Sequence, residues 1–174
     1  LLAKSDFSTE NPDFKVGLIA SLADRATMID SSGLAVSVTQ TEISQLGQFG
    51  ATPQFIFNTQ PLVSIFNGLD VFGIYDEKLK KISNYQLKEP LPATDAILYE
   101  NNLYVLSGSH IYKYADAATG GTKRVDWGGD EAAGNQIAIA VDGNIYALTA
   151  DGKLIIYFKG QKTGELDLPL IPAL

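Results

Sequence analysis

Side chains able to do chemistry gather in one stretch, Arg124 to Asn135, which reads Arg-Val-Asp-Trp-Gly-Gly-Asp-Glu-Ala-Ala-Gly-Asn. It holds Trp127, the one tryptophan of the chain, beside Asp126, Asp130 and Glu131. An indole among polar groups offers a large contact area at small entropic cost, which suits capture of a peptide or a carbohydrate. The preferred alternative is that Trp127 caps a core while its glycine neighbours merely turn the chain. Asp126, Asp130 and Glu131 carry oxygens of the kind calcium takes. The run Asp126-Trp127-Gly128-Gly129-Asp130 lacks the alternating acidic spacing of an EF-hand loop, so a solvated acidic loop is preferred. No cofactor is expected, calcium being the one ion these residues leave open.

Outside that stretch the reactive candidates are isolated. His110 is the sole histidine and there is no cysteine, whereas zinc sites and imidazole-based nucleophilic sites need several such partners. Gly108-Ser109-His110 is therefore a turn first. No Gly-x-Ser-x-Gly elbow is present, and Gly120-Gly121-Thr122-Lys123 lacks the spacing of a phosphate-binding loop. Paired carboxylates for glycoside hydrolysis have no local motif either. Asp76 and Asp151 lie in short polar loops. The expectation is that the chain is not an enzyme.

Composition narrows the partners. The 174 residues suffice for one well-buried domain. A hydrophobic share of 45% with 19% charged residues is globular rather than disordered. The net charge of -7 argues against nucleic acid and against an anionic membrane, both of which demand a basic face. Lys78, Lys80 and Lys81 are too short a cluster to reverse this. No apolar run approaches the roughly 18 residues of a membrane span, the longest tight one being Leu154 to Phe158. The first residue is Leu and no basic-then-apolar leader follows, so the chain is expected to be excised from something longer. The compartment stays open; an extracytoplasmic setting, attached to a membrane protein, is the expectation.

The elements that would position these residues repeat. The clearest copy runs from Gln136 to Lys159. Ile137, Ile139 and Val141 alternate with small residues, Asp142-Gly143-Asn144 turns, and Ile145 to Leu148 follows. Asp151-Gly152 then leads into Leu154 to Phe158. Asp-Gly and Asn-Gly pairs supply the positive φ of tight hairpins, so this reads as two hairpins in series. The preceding copy has Ala96 to Tyr99, Leu103 to Leu106 and Ile111 to Tyr114. An earlier one has Leu62 to Phe66, Leu69 to Tyr75 and Leu79 to Tyr85. The most degenerate has Ala26 to Ile29, Leu34 to Val38 and Glu42 to Leu46. Leu34, Leu69, Leu103 and Ile145 recur at roughly 35 to 42 residues, the longest interval reflecting a polar insertion at about 115–135. That period, with three or four strands per copy and no 3.6-spaced stripes, is the signature of a β-propeller.

The segments IAIAVDGNIYALTADGKLIIYFKG and DAILYENNLYVLSGSHIYKYAD resemble the blades of NHL-like and PQQ-like bacterial β-propellers. The resemblance covers roughly 26–168. It implies an all-β fold of about four blades, each an antiparallel meander of three to four strands, alone or as part of a larger ring; a β-sandwich with repeating hairpins is the alternative. Residues 1–13 read as a linker and 14–174 as the repeats, at about 24–60, 61–94, 95–135 and 136–168. Phe14 to Leu22 is either an outer strand of a preceding blade or the strand that closes the ring.

Propeller topology would gather the loops between second and third strands on one face, together with the links between blades. Thr39 to Thr41, Asp76 to Lys78, Ser107 to His110 and Ala150 to Gly152 are read as those loops, with Arg124 to Asn135 as the inserted link. The face so defined would hold Trp127, Asp126, Asp130, Glu131, Asp76, His110 and Asp151. The function expected is a non-catalytic scaffold that binds a protein or glycan within a multidomain protein. Two alternatives are a metal-assisted hydrolase or lyase with carboxylates at the channel mouth, and a sensor or spacer of a signalling protein. Propellers host unrelated activities, so the fold does not choose among these.

Overall fold

The strands are runs of five to seven residues; inner ones such as LVSIF, VFGIY and KLIIYF are rich in β-branched and aromatic side chains, and Gly, Asn and Asp build many of the turns between them. A computed structural model describes residues 13–21, 25–39, 42–49, 53–59, 62–76, 78, 80–129, 132 and 134–168. The strands β1 (Val16–Ser21), β2 (Ala26–Asp30), β3 (Leu34–Val38) and β4 (Ile43–Gln48) make the first sheet. The second comprises β5 (Phe55–Thr59), β6 (Leu62–Phe66), β7 (Val71–Tyr75) and β8 (Lys81–Gln86). The third has β9 (Asp95–Tyr99), β10 (Asn102–Ser107), β11 (His110–Tyr114) and β12 (Arg124–Gly128). The fourth has β13 (Gly134–Ile139), β14 (Ile145–Thr149), β15 (Lys153–Phe158) and β16 (Gln161–Asp167). Each sheet is a simple meander with its strands in sequence order.

Two assignments differ from the sequence reading. Val16–Ser21 is the first strand of the first sheet, paired antiparallel with β2. Consequently Leu34 opens a third strand and Leu69 precedes one, while Leu103 and Ile145 stand in second strands. Arg124–Gly128, read as part of a link, is the outer strand of the third sheet, paired with β11. Outer strands cover one side only, so β12, with Val125 and Asp126 exposed, and the largely exposed β16 carry no apolar alternation.

The chain divides into two compact units, one of residues 1–67 and 71–84, the other of 68–70 and 85–174. In the first, Ile29 and Ala35 of the first sheet pack on Val63 and Ile65 of the second, with Leu18, Ile56 and Tyr75 around them. In the second, Tyr104, Leu106 and Ile111 of the third sheet pack on Ile137, Ile145, Ala147, Ile155 and Tyr157 of the fourth. There the Asp95 carboxylate accepts the Ile137 N–H at 2.7 Å, joining β9 to β13. Burial raises the Asp95 carboxyl above its ordinary value, although the Ile137 and Ala96 N–H groups oppose this.

Carboxylates fix several turns. Asp30 accepts the Ser32 and Leu34 N–H groups at 2.8 and 2.9 Å. Asp76 accepts those of Lys78 and Lys80 at 2.9 and 2.8 Å. The two patterns match, yet one turn joins second and third strands and the other third and fourth.

Candidate functional site

The outer two strands of the third sheet build the site. His110 opens β11, and the register pairs Tyr112 with Asp126 and Tyr114 with Arg124. Because side chains alternate, His110 and Tyr112 share a face of β11, and Asp126 and Arg124 share the corresponding face of β12. His110 Nε2 and Asp126 Oδ1 lie 2.5 Å apart, with the His110 side chain 20% exposed and the Asp126 side chain 71%. The Tyr112 ring sits 4.8 Å from the imidazole, and the Arg124 guanidinium lies over the same ring at 4.9 Å. Arg124 also donates to the Glu89 carbonyl at 2.9 Å and to its carboxylate at 3.1 Å.

Charge in this row is held from several sides. The His110 hydrogen bond keeps the Asp126 carboxyl below its ordinary value against the desolvation that would raise it, with the Gly128 N–H and the Arg124 charge adding to it. The result is a fixed carboxylate, an imidazole, a phenol ring and a guanidinium along one exposed edge. Such a row offers hydrogen bonds, ion pairing and stacking to a docking surface.

Trp127 does something else. Its ring packs edge-on against Tyr104 at 5.7 Å and 86°, and against Tyr157 at 6.4 Å and 70°. It borders the cluster between the third and fourth sheets. Period-two alternation along β12 sends it to the side opposite Asp126, so the two adjacent residues serve different ends.

The remaining candidates belong to other blades. Asp151 accepts the Thr149 hydroxyl at 2.5 Å within the β14–β15 turn. Asp76 is engaged in the turn between β7 and β8, a third-to-fourth-strand connection, whereas His110 and Asp151 stand at second-to-third-strand connections. Asp130 and Glu131 lie outside the described residues, among which no group of three or more His, Cys, Asp or Glu comes together as a metal site.

Tyr112, Arg124 and Glu89 were not among the candidate site residues of the sequence. The signal that could have found them is the β11–β12 pairing, which is legible only once Arg124–Gly128 is taken as a strand. A recess of about 180 Å³ lies in the first unit, lined by Phe49, Ile65, Tyr75, Lys81 and Asn84 over Gly73. A Cβ on Gly73 would meet the Tyr75 ring at 2.7 Å, so the missing side chain makes room for that ring.

No protein-family model and no curated protein sequence matches the chain. Solved structures do. YCF48 bound to D1 peptide is similar at a TM-score of 0.67 and 12% identity, over 89% of this chain and 55% of that one. Apo AztD from Citrobacter koseri is similar at 0.59 and 15%, over 86% and 46%. BBS1N in complex with ARL6DN is similar at 0.61 and 15%, over 91% and 50%. At such identities the likeness shows the fold, and the fold is a β-propeller, all-β with four-stranded antiparallel blades. The chain spans about half the length of these solved structures.

Proposed function

We propose that this chain is a non-catalytic β-propeller scaffold that binds a protein through the outer edge of its third blade. The observation that carries the reading is the His110–Asp126 pair set beside Tyr112 and Arg124 on the outer two strands of the blade. Tyrosine and arginine are enriched where protein interfaces are tightest, and a hydrogen-bonded polar pair supplies register. Two of the similar structures are complexes by their titles, YCF48 with a D1 peptide and BBS1N with ARL6DN, which supports protein over glycan as the ligand class. In this reading the blades are of NHL-like or PQQ-like type, and the domain works inside a larger multidomain protein.

The test is capture by the immobilised chain. Wild type and the double variant His110→Ala, Asp126→Ala are compared on lysate and on a glycan array. Proteins retained by wild type and lost from the variant, with no glycan signal, support the reading. Equal retention by both, or selective glycan binding, overturns it.

A further inference from the structure

We infer that the recess over Gly73 binds a small aromatic carboxylate, its ring inward between Phe49 and Tyr75 and its carboxylate outward at Lys81 and Asn84. The described residues that line the recess all belong to the first unit. Its apolar walls come from Phe49, Ile65 and Val71. The Phe49 and Tyr75 rings meet edge-on at 5.2 Å and 84°, an arrangement that a third ring can join. The volume of about 180 Å³ sets the size of the ligand. An apolar cavity of about 150 Å³ accepts benzene, so a single ring with one small substituent fills this recess.

The polar groups of the lining choose the substituent. A Cβ on Gly73 would lie 2.9 Å from the Tyr75 hydroxyl oxygen and 3.1 Å from Asn84 Oδ1, so both polar ends converge on the space above that glycine. Burial raises the Tyr75 phenol above its ordinary value, which keeps the hydroxyl a donor at neutral pH. Lys81 and Asn84 are exposed, and this puts an ammonium and an amide at the mouth. Asn67, the remaining polar side chain of the lining, turns its Oδ1 to the Val71 N–H at 2.9 Å.

Phenol, amide and ammonium all donate, and no Asp or Glu is among the described residues of the lining. The site therefore favours an acceptor with negative charge, and a planar carboxylate engages several donors at once. Lys78 and Lys80, exposed just before Lys81 in the chain, draw an anion to this mouth although the net charge is -7.

Titration of the full chain with para-fluorobenzoate, followed by its fluorine NMR signal, tests this. The expected dissociation constant is on the order of 1 mM, as suits so small a ligand. The matching benzamide, which has the ring without the charge, binds about tenfold more weakly. Acetate, which has the charge without the ring, does not displace the benzoate at equal concentration. Lys81→Met weakens benzoate binding about tenfold with the far-ultraviolet circular dichroism retained. Lys78→Met, outside the lining, leaves it unchanged. No benzoate binding to wild type well above the expected constant overturns the inference. So does equal affinity for the benzamide, displacement by acetate, or the same affinity in the two lysine variants.

Discussion

Neighbouring residues on one strand here serve opposite sides of a blade, and the consequences of removing them separate accordingly. Trp127→Ala removes two edge-on ring contacts and leaves a gap beside the cluster between the third and fourth blades. Full burial of an aromatic ring is worth about 3–5 kcal/mol on truncation to alanine, and this ring is half-buried. The expected loss is about 2 kcal/mol, read as a lower urea midpoint. Asp126→Asn, on the exposed side, lowers that midpoint less and acts chiefly on partner capture. If the two variants lowered the midpoint equally, the division of labour along β12 would be refuted. Sequence alone allowed both readings of Trp127, because an indole among glycines and acids has the composition of a loop. The alternation that decides between them appears only with the strand.

At the scale of elements, glycine marks where two turns meet. Gly160, with φ +83°, closes the β15–β16 turn, and a Cβ there would overlap the Trp127 carbonyl oxygen. Gly143, also at φ +83°, has nothing within 4 Å of a Cβ. Gly143→Ala is therefore expected to cost about 1 kcal/mol from backbone strain alone. Gly160→Ala must add displacement of β12, and its melting temperature should fall clearly further; equal shifts would contradict the close approach. Strands apolar on both sides, such as β10 and β14, were legible from composition, and the four repeats from their period. The outer strands β12 and β16 were not, because each presents one short inward row. The phase of the repeat was also hidden in the first two blades. Acidic or amide turns bracket second and third strands alike, so a ruler laid on turns cannot tell which strand it has reached.

For the whole molecule, net charge of -7 makes pH the natural probe. Glu165 lies between Lys153 and Lys162, at 2.8 and 2.6 Å. The Lys153 hydrogen bond, then that of Lys162, brings its carboxyl from 4.5 to about 2. The folded chain binds this proton more weakly than the unfolded one, so the stabilisation is whole above pH 4.5 and disappears as pH falls toward 2. Asp142 acts in the same sense through the Asn144 N–H; Asp30 does so too, its turn hydrogen bonds outweighing the burial that would raise it. Asp95 opposes them: burial raises it, so its contribution is whole below the ordinary 3.8 and is lost as pH climbs beyond that through its raised value. The expected outcome is a urea midpoint that drops between pH 4.5 and 2, and drops less in the variant Lys153→Met, Lys162→Met. An unchanged slope in that variant would remove Glu165 from the account. The matched turns at Asp30 and Asp76 reach further than stability. Each carboxylate binds the N–H groups two and four residues on, whichever pair of strands it joins. Such a joint is portable: it specifies its own bend and asks nothing of its position. Exchanging 30–34 with 76–80 is therefore expected to leave the strands of both blades in register, which an unchanged far-ultraviolet circular dichroism of the swapped chain would check.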